Sequence, residues 1–294
     1  MRFQVLNYGS LNIDHVYRVP HFVAPGETLS TAAYARNAGG KGLNQSIALA
    51  RAGVRVAHAG KIGPEGAFLR DTLAGAGVNA DGVTIGDTPT GHACIQVDPS
   101  GQNLILLYPG ANRALTEKEI AETLDRIPAE WLLLQNEVSL VPYLMREAAK
   151  RGMKIAINPA PCGPEVADFP LELADILFVN EIEAAQLAGK DGTPEALADC
   201  LTRSFPRAEV VMTLGAAGAL YAYGETERHF EPALPVKPVD TTCAGDTFNG
   251  FFLAARLDGA DVADAMKLAA RAASITVTRP GAASSIPAKS ELGS

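Results

Sequence analysis

Short apolar runs alternate with longer segments whose apolar residues recur every three or four positions, and few architectures accept that alternation. The runs at 5–9, 54–59, 131–136, 154–158, 176–180 and 210–214 are the length of strands covered on both faces. Between them, 42–52, 65–76, 116–126, 139–150 and 181–188 carry helical spacing, several ending at glycine. Repeated strand–helix–strand units imply an α/β fold with a mainly parallel sheet and right-handed crossovers. The longest uncharged stretch, 210–224, is interrupted by Gly215 and Gly218 and falls short of the roughly 20 apolar residues that span a bilayer. It reads as two buried strands.

Two stretches break the rhythm. Residues 13–34 and 91–108 look like pieces of a separate small sheet, the second a hairpin whose strands 93–97 and 103–107 flank Asp98-Pro99-Ser100-Gly101-Gln102. A small sheet leaving the edge of an α/β domain is placed to cover a ligand at the strands' C-terminal ends, so a lid is expected. No linker or repeat divides the chain, and 1–294 reads as a single domain.

Twenty-five Lys and Arg against 33 Asp and Glu give a formal charge of −8, which opposes partnership with nucleic acid or an anionic membrane. Cys94, Cys162, Cys200 and Cys243 lack the paired spacing of a zinc or redox site, and no apolar leader opens the chain. A cytoplasmic location is expected. The five histidines show no metal-ligand spacing, and most of them read as surface or packing residues. Neither a Gly-x-x-x-x-Gly-Lys-Ser/Thr loop nor a well-placed dinucleotide fingerprint occurs; Gly75-Ala76-Gly77 reads as a helix C-terminus.

Asp240-Thr241-Thr242-Cys243-Ala244-Gly245-Asp246 precedes an apolar helix beginning near Ala244. The free N–H groups of Ala244, Gly245 and Asp246 suit an anion, and Asp246 sits where a base would serve. Taken alone, Asp246 reads first as support for the helix N-terminus, and its partners elsewhere in the chain tip it to the base. Asn12 and Asp14 follow the first strand, and Gly39-Gly40-Lys41-Gly42-Leu43-Asn44-Gln45 opens a helix. Asp14, Lys41, Asn12 and Asn44 together offer the acceptors and donors that vicinal sugar hydroxyls need. Glu137 follows another strand. Asn180 and Glu183, three apart at a helix start, form a capping box on spacing alone, while the same pair could approach hydrated Mg²⁺ near phosphates.

These segments, with Pro25-Gly26-Glu27-Thr28, Pro109-Gly110-Ala111-Asn112, Asn158-Pro159-Ala160-Pro161 and Thr213-Leu214-Gly215 in the same order, resemble the ribokinase-like (PfkB) carbohydrate kinase family over nearly the whole chain. The resemblance implies a three-layer αβα domain with a small β-sheet lid. It implies ATP-dependent phosphorylation of a hydroxymethyl group of a small sugar, D-ribose foremost. Asn12, Asp14, Gly40, Lys41, Asn44 and Glu137 then contact sugar, and Asp246 is the base above an anion hole from Ala244 and Gly245. ATP falls to Asn180, Thr213, Gly215 and Gly218, and Mg²⁺ to Glu183. A K⁺ site falls to Asp240, Thr242, Thr276, Arg279, Gly281 and Ser285, several through backbone carbonyls. The chain departs from the family with Ala270-Arg271 near the adenine position and with Tyr108-Pro109 before Gly-Ala-Asn. Alternatives are a kinase for another sugar, a phosphorylated sugar or a nucleoside, and a non-catalytic sugar sensor. Lid strands carrying Ile95, Val97, Ile105 and Leu107 are candidates for pairing two copies.

Overall fold

The structure, a computed structural model, describes residues 2–293. In chain order the elements are β1 (Phe3–Tyr8), β2 (Asn12–Arg18), β3 (Ala33–Gly39), α1 (Lys41–Arg51), β4 (Val56–Ile62), α2 (Ala67–Gly75), β5 (Asn79–Ile85), β6 (Gly91–Val97) and β7 (Asn103–Tyr108). There follow α3 (Glu117–Arg126), β8 (Ala129–Gln135), α4 (Val141–Lys150), β9 (Lys154–Asn158), β10 (Ile176–Asn180), α5 (Glu181–Ala188), α6 (Pro194–Ser204), β11 (Glu209–Thr213), β12 (Gly218–Tyr223), β13 (Glu227–Pro232), α7 (Ala244–Leu257) and α8 (Val262–Val277).

Nine strands form one sheet in the order β13-β12-β11-β10-β9-β8-β1-β4-β5. From β11 to β5 every neighbouring pair is parallel, and β12 and β13 close one edge antiparallel. Parallel strands need helical crossovers, and these cover both faces. One face packs on α1, α2, α7 and α8 through Leu43, Ile47, Leu69, Phe251, Phe252 and Met266, and the other on α3–α6 through Ile120, Leu144, Met145, Ala184 and Leu201. The result is the expected three-layer αβα arrangement.

The second sheet, β3-β2-β6-β7, has four strands and stands apart from the first. Its first segment reaches further than residues 13–34, because β3 continues to Gly39 and runs straight into α1. Some expected boundaries move. Residues 64–66 are a separate 3-10 turn before α2, Val54 returns its N–H to Leu49 O in the turn closing α1, and α4 starts at Val141 with Pro142 in its first turn. None of the helices among the described residues is long and apolar enough to cross a membrane.

Candidate active site at the C-terminal edge of the sheet

The helix α1 starts where β3 returns to the large sheet, and its approach is close. A Cβ on Gly42 would lie 2.4 Å from Ser10 N and 2.5 Å from Gly9 C, so only glycine lets α1 pack on the turn after β1. Glu137 accepts from the Lys41 N–H at 3.0 Å and from the Ser10 hydroxyl, fastening that turn. Asn12 is buried, and its Oδ1 accepts from Asn112 Nδ2 at 2.8 Å. Asp14 lies in a cleft of about 690 Å³ between the small sheet and residues 238–242 and 280–284. Burial, and then the charge of Glu137, push its carboxyl from 3.8 up to about 7.

The first turn of α7 faces this region. Cys243, the residue before it, has φ 68°, a left-handed conformation that costs a side-chain-bearing residue about 1–2 kcal/mol. No side chain caps the helix. Of the N–H groups expected to be free, that of Ala244 makes a long 3.4 Å contact to Thr241 O. A Cβ on Gly245 would meet nothing within 4 Å, so no protein contact demands glycine there; the open space beside the helix terminus suits a phosphate oxygen. The chemistry of the turn therefore fits a nucleotide.

Asp246 is 8% exposed, and its two carboxylate oxygens accept from Asn44 Nδ2 at 3.0 Å and Gln45 Nε2 at 2.9 Å. Asn44 Oδ1 is buried without a hydrogen-bond partner. A buried acceptor left single costs about 1–3 kcal/mol, and a ligand hydroxyl would relieve it. Lys41 stays protonated: the charge of Asp246 raises its pKa against the opposing effect of burial.

Asp246 shares a cleft of about 140 Å³ with Lys41, Asn180, Glu183, Thr213, Ala244 and Gly245. Asn180 and Glu183 do form the capping box, with Asn180 Oδ1 accepting from Glu183 N and Glu183 Oε2 from Asn180 N, both at 2.9 Å. Both still line the cleft. Burial raises the Glu183 carboxyl above its ordinary range, against the opposing effects of the Asn180 N–H and the Lys41 charge. Thr241 and Ala244 also border an apolar slot of about 540 Å³ that contains Gly215, Gly218, Val236, Phe248 and Ala270. Ala270 lines that slot, whereas Arg271 does not.

The six residues assigned to K⁺ come from two neighbouring turns, and the side chains of Asp240, Thr276, Arg279 and Ser285 are already engaged within the protein. Asp240 accepts from Thr242 N at 2.9 Å and Gly281 N at 3.0 Å, tying two turns together. The Thr276 hydroxyl donates into the core to Thr247 Oγ1, Ser285 Oγ donates to Ala282 O, and Arg279 pairs with Glu291. Backbone carbonyls are what these turns have to offer a cation.

Two residues of this region carry no role from sequence reasoning. Gln45 and Asn158 stand in the quoted motifs, yet a glutamine inside a helix and an asparagine at a strand end signal nothing by residue type. His58, expected at a surface or in ordinary packing, is fully buried, and burial lowers its pKa to about 3.

Comparisons with known proteins bear on the family and the fold. A family model described as pfkB family carbohydrate kinase matches residues 2–289. Ribokinase of Haemophilus influenzae is 38% identical over 300 residues, covering 99% of this chain and 97% of the relative. The crystal structure of ribokinase from Cryptococcus neoformans var. grubii serotype A in complex with ADP superposes with TM-score 0.86 at 33% identity, covering 99% and 98% of the two chains. Arabidopsis thaliana ribokinase complexed with ribose and ATP gives TM-score 0.87 at 29% identity with the same coverage. A family match over nearly the whole chain and a curated relative of this identity and coverage, on the same three-layer fold, place the chain: it belongs to the pfkB family of carbohydrate kinases.

Proposed function

We propose that this protein phosphorylates the hydroxymethyl group of D-ribose with ATP, giving ribose 5-phosphate. The observation that carries the reading is the position of Asp246. It is held by Asn44, whose remaining amide oxygen has no partner, and it stands beside the opening at Gly245 and the cleft that continues towards the nucleotide slot.

In this reading Asp246 takes the proton of the attacking hydroxyl. Asn44 Oδ1 and Asp14 accept from sugar hydroxyls, the Lys41 ammonium donates, and Asn12, Gly40 and Glu137 shape the pocket. The N–H groups of Gly245 and Ala244 hold the moving phosphoryl group, and the dipole of α7 adds to their effect. Asn180, Thr213, Gly215 and Gly218 border the nucleotide. A magnesium ion bound with ATP would neutralise phosphate charge, and Glu183, which lines the cleft beside Asp246, would be the carboxylate to hold it. A potassium ion is assigned to the carbonyls around Asp240, Thr242, Thr276, Arg279, Gly281 and Ser285.

The small sheet acts as a lid over the sugar within one kinase domain. Its edge strand β7 exposes Leu104, Ile105, Leu106 and Leu107, the surface through which two copies pair. The four free cysteines suit a reducing cytoplasm. The test is an ATP-consumption screen with D-ribose, 2-deoxyribose, hexoses, sugar phosphates and nucleosides, each with and without K⁺. Turnover highest on D-ribose and raised by K⁺ supports the reading. A nucleoside or sugar phosphate turned over faster replaces the substrate assignment, and no turnover on any acceptor favours a sensor.

A further inference from the structure

Asp246 is the end point of a buried chain of amides whose direction is set elsewhere in the fold. An amide side chain can be turned end for end, so its orientation must come from neighbours that only donate or only accept. Two backbone carbonyls provide that here. Asn7 Nδ2 donates to Gly42 O at 2.8 Å, which turns Asn7 Oδ1 towards Gln135. Gln135 must then present its Nε2 to Asn7 Oδ1, at 3.2 Å, and the same nitrogen reaches Gln45 Oε1 at 2.7 Å. Independently, Asn158 Nδ2 donates to Phe178 O at 3.0 Å, which turns Asn158 Oδ1 towards Gln45 Nε2 at 3.3 Å. Both chains demand the same orientation of Gln45, with its oxygen towards Gln135 and its nitrogen towards Asp246.

We infer that Gln45 is a positioning residue for Asp246, and that Gln135 and Asn158 set the direction of its amide. This rests on Asp246 acting as the base. Asn7, Gln45 and Gln135 are wholly buried, so water does not compete for these bonds. With Asn44 on the other oxygen, the Asp246 carboxylate is held at both ends and its rotation is fixed before substrate arrives. The hydrogen bonds of the Gln45 side chain reach Gln135, Asn158 and Asp246, and of these only Asp246 is assigned to sugar or nucleotide.

The experiment compares wild-type protein with Gln45→Met, Gln135→Met and the double variant. These substitutions keep length and remove the amide. Steady-state kinetics with D-ribose and MgATP are combined with crystal structures of wild type and Gln45→Met. The expected result for Gln45→Met is a fall in kcat of roughly 10–100-fold with both KM values within about twofold, together with a rotated Asp246 carboxylate. Gln135→Met falls less, and the double variant falls no further than Gln45→Met, because Gln135 acts through Gln45. A wild-type kcat in Gln45→Met, or losses that multiply in the double variant, overturns the inference. If wild-type protein does not phosphorylate D-ribose, the functional reading fails separately, and the crystal structures decide: an Asp246 carboxylate unmoved in Gln45→Met overturns the positioning role. Should Gln45→Met not fold, the same kinetic and structural criteria apply to Gln135→Met.

Discussion

Asp14 holds the sharpest conflict between burial and charge in the cleft under the small sheet, where the sugar is proposed to bind. Its carboxyl is raised from 3.8 to about 7, first by burial and then by Glu137, so the folded protein keeps a proton that the unfolded chain releases. The folded state binds more protons between these values, and stability falls as pH rises through that window. The melting temperature of the free protein should therefore carry a component that declines between pH 4 and 7 and disappears in Asp14→Asn. Sugar hydroxyls donate to the ionised form, so binding of D-ribose should release a proton near pH 6.5 and tighten towards pH 8. Calorimetry in buffers of different ionisation enthalpy reads this directly, and proton uptake on binding would contradict it. Asn44 is the second residue in tension, because one end of its amide is spent on Asp246 and the other is left for the ligand.

At the scale of elements, two helix starts do different work with glycine. Gly42 lets α1 touch the chain after β1, and Gly42→Ala forces a methyl against backbone atoms, at a cost of about 1–3 kcal/mol in chemical denaturation. Gly245 lies in open space with an ordinary helical backbone, so Gly245→Ala should leave stability unchanged or raise it by about 0.4–1 kcal/mol. The same methyl would enter the position proposed for a phosphate oxygen, and KM for ATP should rise roughly tenfold, equivalent to one charge-assisted hydrogen bond. A variant that is destabilised yet binds ATP normally would show that the glycine serves packing.

Elements differ in how readably they were written. The central strands and the helices α3, α4 and α5 show in apolar spacing and caps, because burial on a known face leaves a period. The strand β5 contains Asp81 and Gly82, and β13 reads Glu-Arg-His-Phe-Glu-Pro; both are sheet edges, half solvated, and their patterns resemble turns. The segment 233–238, which lines the apolar slot along with α8 residues Ala270 and Val277, is outside any strand or helix and leaves no period to read. Asp246, Asp14 and Asn44 could be named from motif order, but Gln45 could not. Its role exists only through residues 90 and 201 positions distant in the chain.

The whole molecule brings the first 45 residues, the strand ends of the sheet and the start of α7 to one place, where Thr241 borders all three clefts. Ligands that bind only the assembled site stabilise it by mass action, by about 2.7 kcal/mol at a hundredfold excess over Kd. The lid edge at β7 leaves Leu106 70% exposed, and Leu106→Lys should convert a dimer to a monomer in sedimentation velocity while the α/β core melts unchanged. A wild-type protein that sediments as a monomer would remove this surface from the account. The most direct test of the convergence itself is turnover of Asp246→Asn with D-ribose and MgATP, alongside its ribose affinity. The account expects kcat to fall about 10²–10⁴-fold while ribose still binds within a few-fold of wild type; turnover at the wild-type rate would contradict it.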